Sequence, residues 1–239
     1  TILTESSIME NGFVLIDSEG LIVDVACDVS SHAEAETATR IECPGAIVSP
    51  GFINAHDHIW YNHRPPSKPT GERYEHRHHW RMGLDGHTQP DFERATSEDQ
   101  LAWAELRHAL AGTTSIAGMG GVSGLVRNLE DDNLKGDLQG PAAFTTVFPL
   151  GDAAGTMLQD NCAYPEMVAP SDYANAGAFQ AHVAEGVDLS AANEIDCLTG
   201  QRDDGIDVSN KPAAFVHVVG VTTEDAVFLR DHDISVVWS

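Results

Sequence analysis

Pro50-Gly51-Phe52-Ile53-Asn54-Ala55-His56-Asp57-His58 is the stretch whose reading decides the fold. It closes an apolar segment, Ile41 to Ile53, broken only at Pro44-Gly45 and Pro50-Gly51. Such a run suits a buried strand that ends in a functional loop. Strand side chains alternate between faces, so His56 and His58 share one face and can reach one ion, while Asp57 turns away and is read as structural. A loop with two polar residues and no ion has the same pattern, so the pair has to be judged with its surroundings.

Upstream, Phe13 to Val25 reads as two β-rich runs around Ser18-Glu19-Gly20, a hairpin signal. Downstream, Ile59 to Pro90 is polar, rich in His and Arg, and without a trustworthy period, which reads as a long functional loop. Its His76, His78, His79 and His87, with Arg73, Arg77, Trp80 and Arg81, could form a substrate-facing lid, a second metal site or a polar cover. No ligand is assigned there.

A helix is expected from a Ser97 cap, with Leu101, Ala104, Leu106, Ala109 and Leu110 as its apolar face and Gly112 at its end. There follow a strand at Thr113 to Gly118, a helix at Gly121 to Leu129 and a strand at Ala142 to Leu150. Residues 151 to 177 give no clear pattern. Phe179 to Val183 reads as a strand, Ser190 to Leu198 as a Ser-capped helix, Ala213 to Val219 as a strand, Thr223 to Asp231 as a helix and Ile234 to Trp238 as a strand. Alternation of strands and helices implies a parallel sheet.

His182 lies at the end of one of these strands, with Glu185 three residues on, and His217 lies in the next. If the sheet closes into a barrel, all four imidazoles emerge at its C-terminal face. Hydrogen-bonded core histidines at 182 and 217, and a plain surface carboxylate at 185, are the competing readings.

These residues, in this order, are similar to the signatures of the amidohydrolase superfamily. Residues 50–58 resemble its first-strand motif, His182-Val183-Ala184-Glu185-Gly186 its fifth-strand HxxE motif, and Phe215 to Val221 with Ser235 to Ser239 its sixth-strand His and seventh strand. The best match is the mononuclear branch of cyclic-base deaminases and triazine hydrolases. The resemblance implies a (β/α)8 TIM-type barrel, here C-terminally incomplete, over residues 48–239, preceded at 1–47 by strands of a small β-sandwich. It further implies one divalent metal, Zn²⁺ or Fe²⁺, held by His56, His58 and His182, which lowers the pKa of bound water. Glu185 would be the general acid and base, and His217 would polarise the attacked centre or orient the hydroxide. The implied activity is hydrolysis of non-peptide carbon–nitrogen bonds in small molecules, with dehalogenation on the same fold as an alternative.

No Lys lies between Lys135 and Lys211, so a binuclear site bridged by a modified fourth-strand Lys is disfavoured. The superfamily's eighth-strand Asp ligand has no counterpart before Ser239, so we expect a fragment, and a non-catalytic piece needing a missing segment is the other alternative.

Composition narrows the classes. With 37 Asp and Glu against 13 Lys and Arg, the formal net charge is -24, a surface that repels nucleic acid. Acidic residues spread along the whole chain and only three lysines suggest adaptation to a salt-rich cytoplasm, where screening relieves the self-repulsion. There is neither a signal-type start nor a run of about 18 apolar residues, so a soluble cytoplasmic protein with no membrane partner is expected. Homo-oligomerisation stays open. Cys27, Cys43, Cys162 and Cys197 form no CxxC pair and are expected to be buried, inert thiols.

Overall fold

In the computed structural model, which describes residues 1–239, the chain forms two compact units, Thr1–Phe52 and Ile53–Ser239. The first contains β1 (Ile2–Leu3) paired antiparallel with β2 (Ile8–Met9), and β3 (Phe13–Ile16) paired antiparallel with β4 (Ile22–Ala26). The expected hairpin forms because Asp17 Oδ1 accepts from the backbone N–H groups of Glu19 and Leu21, both at 2.9 Å, while Gly20 takes φ +85°. A short acidic side chain that bonds its own backbone and a glycine in the left-handed region are what a tight turn requires. The expected strand from Ile41 shortens to β5 (Phe52–Asn54), and Ile41, Ile47 and Phe52 are exposed rather than buried. The two Pro-Gly pairs explain the shortening, since proline withholds a ladder donor.

The remaining elements are α1 (Arg77–Met82), α2 (Glu98–Leu110), β6 (Thr113–Ile116), β7 (Arg127–Asn128), β8 (Phe144–Thr146), β9 (Phe179–Val183), α3 (Leu189–Leu198), β10 (Ala213–His217), α4 (Thr223–Asp231) and β11 (Ser235–Val237). Strands β5, β6 and β7 form one sheet, and β8, β9, β10 and β11 form a second whose neighbours are all parallel, each sheet in chain order. A bond from Ala143 N to Leu129 O, 2.9 Å, links the segments that leave β7 and enter β8. Every residue of β9 is buried, as expected for a parallel strand covered on both faces. Phe179, Phe215, Ile195 and Leu198 pack in this core, each burial stabilising by roughly 1.5–3 kcal/mol. A smaller core gathers Ile59, Leu101, Ala104, Ile116 and Val126.

Several local expectations change. On α2 the buried positions are Leu101, Ala104 and Glu105, while Leu106 and Leu110 are exposed because they lie off that face. The helix expected at 121–129 is replaced by turns and β7, because the buried Glu105 carboxylate accepts from Val122 N at 2.8 Å and Val126 N at 3.4 Å. A side chain at Gly121 would meet that carboxylate at 2.3 Å. The strand expected at 142–150 contracts to Phe144–Thr146 ahead of Pro149 and the left-handed Gly151. Helix α3 is capped by Asp188, which accepts from Ala191 N at 2.8 Å, rather than by Ser190, whose hydroxyl donates to Asp188. Helix α4 starts with a reciprocal capping box between Thr222 and Asp225. The loop expected over 59–90 contains α1 and two short 3₁₀ turns, Ile59–Tyr61 and Leu84–Gly86.

The cysteine expectation fails in both respects. Cys162 and Cys197 form a disulfide, and Cys27 and Cys43 are exposed. Disulfides persist mainly in oxidising compartments, so the cysteines lend no support to a cytoplasmic location. No helix is long and apolar enough to cross a membrane.

Candidate metal centre

His56 and His58 follow β5, His182 lies near the end of β9 and His217 ends β10. In the parallel register His182 stands beside Val216 and Val183 beside His217, so both imidazoles reach the C-terminal end of their sheet. There the rings converge. His182 lies 4.6 Å from His56, 5.0 Å from His58 and 4.9 Å from His217 between ring centroids. One ring nitrogen from each of His56, His58 and His182 falls within 4.8 Å of the others, and the same holds for ligand atoms of His182, Glu185 and His217. All five site residues singled out from the sequence are thus brought together.

These imidazoles are crowded and largely dry. Burial first, then the neighbouring His182, pulls His56 down to about 3 and His58 to about 4, and burial also lowers His217. At neutral pH these three rings are uncharged and present lone pairs. Nδ1 of His56 and both nitrogens of His182 are buried without a hydrogen-bond partner, although buried polar atoms are satisfied in the great majority of proteins. Three converging imidazoles, two of them with unpartnered buried nitrogens, fit a divalent transition metal.

Glu185 Oε2 lies 3.3 Å from His217 Nε2 and 3.9 Å from His182 Nδ1. Burial raises its pKa, but the neighbouring His182, His217 and Arg77 outweigh this and hold it below the usual value. The backbone beneath is strained: Ala184, His217 and Val218 take φ of 53°, 76° and 52°, a left-handed region that is unusual for non-glycine residues and for β-branched ones above all.

Asp57 turns away from the cluster and anchors its loop. It accepts from His58 N at 2.6 Å, from Asn54 Nδ2 at 2.8 Å and from Asn62 Nδ2, with His108 Nε2 at 3.2 Å. Gln180 reaches across from β9 and donates to Ala55 O at 2.7 Å.

Sequence reasoning gave no role to Asp152 or Glu194 and left Arg77 undifferentiated. Arg77 is buried, donates to Val147 O at 2.7 Å and to Asp152 Oδ2, and lies 3.5 Å from Glu194 Oε1. His78 Nε2 also meets Asp152 Oδ2, at 2.9 Å. Burial pushes Asp152 up, yet His78 and Arg77 hold it below the ordinary carboxylate value. Asp152 lies in the stretch without periodicity and Glu194 in a helix read only from its Ser cap, so neither carried a signal.

An apolar cavity of about 290 Å³ is lined by Ile53, Leu129, Phe179 and Ala213 among others. Its lining has one titratable group, Asp233, and we assign it no chemistry.

Comparison of the chain with protein-family models, curated proteins and solved structures found no match. The functional reading therefore rests on the residues themselves.

Proposed function

We propose that the chain is a metal-dependent hydrolase of non-peptide carbon–nitrogen bonds in small amides or amidines, with His56, His58 and His182 as the metal ligands. The observation that carries this reading is the set of buried, unpartnered nitrogens on His56 and His182, next to a carboxylate held ionised. The sequential order of β5 to β7 and β8 to β11 supports an arc of a (β/α)8-type barrel, with the site at its C-terminal face. A divalent cation such as Zn²⁺ or Fe²⁺ held there supplies Lewis acidity, which makes water a competent nucleophile near neutral pH.

The chain's own residues do the rest. Glu185, ionised and 3.3 Å from His217, takes the proton from the attacking water and delivers it to the leaving nitrogen. His217, held by its strained backbone, donates a hydrogen bond to the atom that gains charge at the attacked carbon. Replacement Glu185→Gln keeps the shape and removes the proton acceptor. Screened against an amide and amidine panel, this variant is expected to lose about 10²- to 10⁴-fold in kcat while retaining the wild-type zinc content. Unchanged kcat on a substrate turned over by the wild type would remove Glu185 from the mechanism.

We also propose that the acidic surface is an adaptation to high salt. At a net charge of -24, self-repulsion is screened over about 10 Å at 0.1 M salt and about 3 Å at 1 M. Raising KCl from 0.1 to 2 M is expected to increase Tm by about 10 °C. A flat or falling Tm, followed by circular dichroism, would show that the charge serves another purpose.

A further inference from the structure

A second cluster of potential ligands lies on the segment around α1 and shares no residue with the first. It groups Glu75, His79 and His87, whose ligand atoms lie within 4.8 Å of one another. The rings of His79 and His87 stack with centroids 4.4 Å apart and planes within 14°. One nitrogen of each faces the same oxygen: His79 Nδ1 and His87 Nε2 are both 3.6 Å from Glu75 Oε2. That spacing is too long for a hydrogen bond, and it is close to the separation of about 3.4 Å between ligands of a tetrahedral zinc with bonds near 2.1 Å.

The opposite nitrogens are already engaged by carboxylates. His79 Nε2 meets Asp85 Oδ2 at 3.1 Å and His87 Nδ1 meets Glu72 Oε2 at 3.2 Å. An imidazole that gives its N–H to an outer carboxylate keeps its other nitrogen as a lone pair, the usual arrangement behind metal-bound histidine. On the inner side His79 Nδ1 has only a long bond from Glu75 N, 3.3 Å, and His79 itself is buried. Two imidazoles and a carboxylate, each ring oriented by its own acidic partner, form a His₂Glu ligand set.

We infer that Glu75, His79 and His87 form a second, independent zinc-type site that clamps α1 and the Leu84–Gly86 turn. The clamp bears on Glu185 through the backbone. Glu75 O accepts from Val187 N at 2.7 Å and Arg77 N donates to Glu185 O at 2.8 Å. The approach is so close that a Cβ on Gly186 would lie 2.4 Å from Glu75 O.

The test is zinc titration by calorimetry, Zn²⁺ being the only probe, on metal-free chain. The His56→Ala/His58→Ala chain is expected to bind one equivalent of Zn²⁺, and adding His87→Ala is expected to weaken that binding by at least about 100-fold. With Zn²⁺ at about 100 times its Kd, Tm of the double variant should rise by about 5 °C, and not when His87 is also replaced. No binding to a folded double variant, or equal binding with and without His87, would overturn the site. Should the double variant not fold, zinc counting on the otherwise unaltered chain decides. Two equivalents falling to one on His87→Ala supports the clamp, and an unchanged count refutes it. Because His56 and His58 are absent from the first assay, failure of the clamp and failure of the hydrolase reading remain distinguishable.

Discussion

Replacing His56 and His58 together by alanine should remove one equivalent of zinc per chain and reduce hydrolytic turnover by about three orders of magnitude or more. The expectation follows from what the two rings contribute. Both are uncharged at neutral pH, pulled to about 3 and about 4 by burial and by His182, so neither has to shed a proton to become a ligand. Without them His182 is the only remaining member of its ligand triad, and water is no longer made acidic enough to ionise near neutral pH. The fold should tolerate the change, because both residues are only half-buried and the loop's anchor is Asp57, which stays in place. Elemental analysis alongside turnover checks this. Full zinc content in the double variant would show that the metal is held elsewhere and would sink the proposed centre.

Replacing Arg77 by methionine should destabilise the second unit by about 3–5 kcal/mol, the usual cost of removing one partner from a buried ion pair. Arg77 is 1 % exposed, and its partner Asp152 is fully buried. Burial disfavours its charge, but Glu194, Asp152 and Glu185 more than compensate and raise its pKa. Methionine fills much of the same volume and leaves Asp152 and Glu194 without the guanidinium, with only His78 and His76 near them. Tm should fall by about 10 °C. Adding Asp152→Leu should recover part of the loss, because the stranded charge is then gone as well. Urea unfolding of the two variants measures both effects, and a loss below about 1 kcal/mol for Arg77→Met would mean that the network is relaxed or hydrated.

Stability and chemistry meet in this region. The segment 75–77 pairs with 185–187, so the buried charges around Arg77 set the backbone from which Glu185 projects. A loosened network would then be read twice, as lost stability and as misplacement of the proton acceptor.

What the sequence by itself determined is whatever depends on short-range pattern. The 13–25 hairpin, the helix 223–231 and the strands at 179–183, 213–217 and 235–237 were legible because alternation, capping and turn residues act within a few positions. The five residues His56, His58, His182, Glu185 and His217 were legible as a group because each lies at or just beyond a strand end, where parallel order carries them to one place. Only the tertiary structure decided the rest. Glu105 is buried beside Leu101 and Ala104 although it was not among the residues expected to face inward, and it satisfies the N–H groups of a segment seventeen and more residues away. Arg77, Asp152 and Glu194 come from three distant parts of the chain, and the Cys162–Cys197 bond spans 35 positions. The worth of a buried charge, or of two thiols within bonding distance, depends on which partners the fold delivers, and no local pattern encodes that.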